Sequence, residues 1–225
     1  MIRWASRIAV TGALIQIGYG ALACVFGYPT ISDRPFEALW VLANVGMIAN
    51  IAVWLSIKVA TPRLALIGGG LAIVGLLIRV AVSLVTEAQP DASTDTPIVI
   101  TIMLVFTGLA LLGAATLRAR RLRGRPARAP LFVLAGGLVA VPFYSFDKVV
   151  HFILLGLLWG GTWLYMALVG HQHLNAAAVQ AIGIAALAHR APTTLPPQAT
   201  EGIPGPDKLP VRHYTGGADD QPSQL

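Results

Sequence analysis

The sequence predicts an all-α polytopic integral membrane protein, a six-transmembrane-helix bundle with both termini in the cytoplasm. Three observations lead there. Along 225 residues run six apolar stretches, each near the roughly 20 residues a helix needs to cross a bilayer's hydrocarbon core. The loops between them alternate in charge. Only 12% of the residues are charged and 56% are hydrophobic, whereas a soluble domain carries about 25% charged residues. Soluble globular, disordered and fibrous classes fit that balance poorly. Apolar runs of this length satisfy their backbone in lipid as helices.

The spans read as residues 7–27, 38–60, 64–86, 97–117, 130–144 and 149–170. Tyr28-Pro29 and Arg34-Pro35 break the chain after the first. Thr61-Pro62 makes a tight turn between the second and third, and Gln89-Pro90-Asp91 opens an acidic loop before the fourth. Pro97 suits a first helical position. The fifth span carries Gly136, Gly137 and Pro142, and Pro142, lacking an N–H, should kink or end it. Ser145 is then placed to cap the sixth helix, with Asp147 in its first turn at the positive dipole end. Residues 1–170 thus form the transmembrane domain. Residues 171–188 read as a juxtamembrane cytoplasmic helix, either separate or continuous with the sixth span. Residues 189–225, rich in Pro and Gly, read as a disordered tail.

Loop charge sets the orientation. Arg3, Arg7, Lys58, Arg63, the six arginines between Arg118 and Arg128, Arg190, Lys208 and Arg212 all fall on one side. The other side holds Asp33, Glu37, Glu87, Asp91, Asp95 and Asp147 against Arg34 and Lys148. That is the positive-inside pattern of a bacterial cytoplasmic membrane protein. The net charge of +6 is therefore topology rather than a nucleic-acid footprint. The Arg118–Arg128 loop can also touch anionic headgroups or an acidic partner. Cys24 is the single cysteine, so no intramolecular disulfide forms. Ala21-Leu22-Ala23-Cys24 loosely imitates a lipoprotein cleavage site, although the apolar Val25-Phe26-Gly27 that follows fits an uncleaved first helix better. Leu64–Leu71 and Leu131–Leu138 share a Gly-rich pattern, which either records a duplicated hairpin of the kind found in transporters or reflects chance.

Arg79 is the sharpest candidate site residue. It lies seven residues inside the third span, about 10 Å deep at helical rise, where a charge is costly and usually faces a bundle interior. Ser83, Thr86 and Glu87 follow on the same helical face. The stripe can line a vestibule for an anionic or carbonyl-bearing ligand. Alternatively, Arg79 snorkels to headgroups along its stem or pins carbonyls freed by Pro142. His151 lies one turn from Asp147, a pairing that can titrate near neutral pH or form a local surface contact.

Gly12, Gln16, Gly20 and Cys24 recur every four residues, and Gly156 with Gly160 makes a GxxxG. Such faces let helices approach closely, either within the bundle or against a membrane-protein partner or second copy. Asn44 and Asn50 suit interhelical hydrogen bonds. No catalytic or metal motif stands out: the spans hold no Asp or Glu, there is no HExxH, and inward histidines for haem are missing. No cofactor is expected.

Three functions remain. The first is a non-catalytic accessory or scaffold subunit of a membrane complex, docking through its small-residue faces. The second is a small carrier or channel with Arg79 at its site. The third is an enzyme on a lipid-soluble substrate, using Tyr144, Asp147 and His151.

Overall fold

A computed structural model describes residues 2–31, 34–88, 95–145 and 147–190, and everything regular in them is helical. The chain divides into two compact units, Met1–Ile182 and Gly183–Leu225. The first contains the bundle. Of the second, 183–190 is the end of a helix and 191–225, where the tail is expected, lies outside the described residues.

The bundle is built from α1 (Ile2–Ile31), α2 (Arg34–Ser56), α3 (Pro62–Ala88), α4 (Asp95–Ala119), α5 (Ala129–Ala140), α6 (Lys148–Ile153) and α7 (Gly160–Arg190). α6 and α7 are one rod, joined by a π-helical turn at Leu154–Trp159. Six helical stretches are long and apolar enough to cross a membrane, the shortest being Pro126–Phe143 with 18 residues. The surface agrees with that reading. Ile8, Leu14, Leu42, Leu66, Leu77 and Met103 face outward, while Gln16, Asn44, Asn50, Ser83, Thr101 and Thr116 are buried. A water-soluble fold sorts its residues the other way.

Several boundaries differ from the sequence reading. α1 runs to Ile31, so Pro29 sits inside its last turn rather than beyond it, and the helix ends two residues later. α2 stops at Ser56, four residues before the expected end. Lys58 follows with φ 52°, and Arg120, just beyond α4, has the same φ. Both positions are left-handed helix exits. The fifth span is three segments: a 3-10 turn at Pro126–Arg128, α5, and a second 3-10 turn at Val141–Ser145. Pro142 does end the α-helix. The cap of α6 is Asp147 rather than Ser145, its Oδ1 accepting from the amides of Val149 (2.8 Å) and Val150 (3.1 Å). α7 continues without interruption through residues 171–188, so no separate juxtamembrane helix starts there.

Helices adjacent in sequence pack antiparallel, and the last returns to the first. α1 lies on α2, α2 on α3, α3 on α4, α4 on α5, α5 on the π-turn, and α6 with the π-turn on α1. Close backbone approach marks two of these joints. Gly12 and Gly46 meet between α1 and α2, and Gly68 meets Gly108 and Leu112 between α3 and α4. Inside the circuit, toward the end where α1 begins, the core is large: Trp54, Trp163, Met47, Met166, Leu109 and Leu112 are fully buried. At that basic end two turns are tied together. Thr61 N donates to Ala115 O (3.1 Å) and Arg121 Nη1 donates to Lys58 O (2.7 Å).

Under the register that matches Leu64 with Leu131, Gly69 corresponds to Gly136. Gly69 faces Leu55 of the preceding helix, whereas Gly136 faces Thr162 and Trp159 of the following one. The two Gly-rich segments therefore pack differently.

Candidate functional site

At the end of the bundle opposite the basic turns, four helices bring polar and aromatic groups together. α3 supplies Arg79 and Ser83, α2 Trp40 and Asn44, α1 Tyr19, and α6 His151 and Phe152. The Arg79 guanidinium lies over the indole of Trp40, 5.5 Å from the ring centroid. Contacts of this kind are worth about 2 kcal/mol when desolvated. Tyr19 packs tilted against Trp40 (centroids 5.6 Å), and Phe152 meets Tyr19 edge-on at 5.8 Å. His151 stacks edge-on against Phe152 at 5.1 Å.

Trp40 belongs to the preceding helix, so the Arg79 side chain lies along the α2–α3 joint. Arg79 is half-buried and Ser83, one turn on, is buried. The side chains of Thr86 and Glu87 lie outside the described residues, so the stripe is visible only through Ser83.

His151 is buried, and its Nδ1 lies 2.9 Å from Ala140 O. A carbonyl only accepts, so Nδ1 carries the hydrogen and a neutral ring presents Nε2 as acceptor. Ala140 closes α5, where terminal carbonyls need donors from outside the helix. The Asp147 carboxylate, one turn earlier, caps α6 through its Oδ1. Asn44 is turned into its own helix, Nδ2 donating to Trp40 O at 2.7 Å, and this ties the backbone beneath the indole.

The small-residue faces are occupied within the chain. A Cβ on Gly20 would stand 2.5 Å from Gly156 Cα, and one on Gly160 3.0 Å from Gln16 Cγ. Gln16, fully buried, donates from Nε2 to Leu155 O at 3.2 Å, across the same α1–α6 joint. Gly12 belongs to the α1–α2 contact with Gly46. A partner would have to use another surface. Asn50 donates to Trp163 O at 2.9 Å and so joins α2 to α7.

Toward the basic end of α1 a second polar link is visible. Ser6 Oγ donates to Arg3 O (3.0 Å) and lies 3.0 Å from His171 Nδ1, while His171 Nε2 meets Asn175 Nδ2 at 3.0 Å. With the Ser6 hydrogen spent on Arg3, His171 donates to Ser6 and accepts from Asn175. This histidine serves helix packing, and no group of three or more metal-ligating side chains occurs among the described residues.

Sequence reasoning singled out Arg79, Ser83 and His151 but not Trp40 or Phe152. Aromatic residues near span ends are ordinary interfacial anchors, and nothing in their spacing says that they converge. No protein-family model, curated protein or solved structure matches this chain.

Proposed function

We propose that this chain is a multipass protein of the bacterial cytoplasmic membrane, both termini inside, that recognises an anionic or carbonyl-bearing small molecule at Arg79, as a small carrier or channel does. The observation that carries the reading is the half-buried Arg79 guanidinium, laid over the indole of Trp40 on the neighbouring helix. An arginine presents a planar fork of donors to a carboxylate or carbonyl. The aromatic wall of Trp40, Tyr19 and Phe152 suits the apolar part of such a ligand. Orientation is proposed from the loop charges, which place the Arg79 end outside. The scaffold reading drew on unfilled small-residue faces, and those faces are packed within the chain. The enzyme reading drew on an Asp147–His151 pair, whose members have different partners here.

The test is ligand-induced stabilisation of the purified protein, with acetate, benzoate, decanoate and inorganic phosphate as probes. One class should raise Tm, since a ligand at 100 times its Kd adds about 2.7 kcal/mol. Arg79→Gln should keep the helical content and elution position yet lose affinity by at least about tenfold, the factor that 1.4 kcal/mol represents. Arg79→Lys, which keeps the charge without the fork, should fall between. If no probe shifts Tm, or if Arg79→Gln responds like the parent, the site assignment fails.

A further inference from the structure

A concavity lies on the outer wall, and Arg79 is not part of its lining. It is an open groove of about 670 Å³ between α5 and the α6–α7 rod, walled by Phe132 and Val139 on one side and Leu157, Leu158 and Tyr165 on the other. Its floor is low because glycines stand there. Gly136 lies against Thr162 and Trp159, and a Cβ on Gly161 would meet nothing within 4 Å. The polar group in the floor, the Thr162 hydroxyl, donates to Trp159 O at 2.7 Å, so it offers no unmet hydrogen bond to the groove. Leu157 and Leu158 belong to the π-helical turn; such turns recur at functional sites.

The ends of the groove are unlike. Between Phe132 and Val139 it is apolar for about 10 Å along α5 at helical rise. At the basic end it closes on Arg125, within the arginine-rich turn that precedes α5. Phe132 and Tyr165 face each other there with ring centroids 6.0 Å apart, as aromatic side chains do at a membrane interface. Basic pockets between transmembrane helices on the cytoplasmic side are headgroup sites for anionic lipids. A helix of a second copy would have to pass over the Arg125 guanidinium, whereas a phosphodiester would end on it.

We infer that this groove holds one acyl chain of an anionic phospholipid, whose phosphate sits on Arg125. The inference needs the six helices to cross a bilayer and is independent of the Arg79 site. Its test is native mass spectrometry of the full chain in detergent, titrated with phosphatidylglycerol or with phosphatidylcholine of the same acyl composition. One phosphatidylglycerol should be retained at collision energies that strip phosphatidylcholine. Arg125→Gln should lower that retention about five-fold, the factor one interfacial arginine contributes. Arg123→Gln, an exposed charge on the same turn that does not line the groove, should change it little. Gly161→Phe, built into open space, should displace the bound lipid. Equal retention of the two lipids would overturn the assignment, as would equal effects of the two arginine variants. A dimer that outlasts delipidation and is broken by Gly161→Phe would overturn it in favour of a second copy. Because Arg125 is exposed, its variant still tests the headgroup contact even if Gly161→Phe does not fold.

Discussion

Thr116 shows how a single hydroxyl organises the core of this bundle. It is fully buried, donates to Leu112 O at 2.8 Å, and accepts the indole N–H of Trp54 at 3.0 Å. Both functions of one oxygen are spent, one inside α4 and one across to α2. Replacing it by valine keeps the volume and strands the Trp54 donor. The expected cost is about 1 to 3 kcal/mol for an unmet buried donor, read as a lower Tm in mild detergent. Thr116→Ser, which keeps the hydroxyl, should lose less than the valine variant. Equal losses would mean that the methyl contact and not the hydrogen bond matters. Arg79 belongs to the same scale. The sequence marks it by its cost in lipid, but its place against the Trp40 indole depends on another helix.

Glycines decide how closely these helices approach, and their neighbours divide them into two kinds. In α1, Gly20 meets the backbone of Gly156, whereas a Cβ on Gly18 would meet nothing within 4 Å. Gly20→Ala should therefore destabilise the bundle by about 1 to 3 kcal/mol or more, the cost of overpacking against atoms that cannot yield. Gly18→Ala should be neutral or raise stability by about 0.5 to 1 kcal/mol, the difference between the residues in a helix interior. Thermal unfolding of both variants checks the pair, and equal stabilities would refute the α1–α6 joint. The four-residue spacing of Gly12, Gln16 and Gly20 was legible as a close-packing face, but its partners were not. Eight residues at 3.6 per turn drift by about 80°, so the stripe winds from α2 at Gly12 to the π-turn at Gly20.

For the whole molecule, six antiparallel helices close on themselves because α6 returns to α1, and the polar side chains collect inside. Both features suit a protein solvated by lipid, where an inward hydrogen bond replaces one that water would have made. The proposed orientation has a direct readout. In a Cys24→Ser background, Gln89→Cys should react with a membrane-impermeant maleimide in intact cells. Arg123→Cys should react only after lysis. Reversed labelling would invert the assignment, and labelling of both without lysis would count against insertion.

The sequence by itself determined the helical class and the number of long apolar helices, though not every break, since α1 runs through Tyr28-Pro29 to Ile31. Those depend on local quantities: run length, hydropathy and proline position. It also singled out Arg79, Ser83 and His151, since polar groups in apolar runs stand out without any structure. Only the tertiary structure decided that Trp40 lies beneath Arg79 and that Gly136 and Gly161 floor a groove ending at Arg125. Each of these joins residues on different helices. Helical periodicity states which residues share a face, but which face meets which is set by packing among all six.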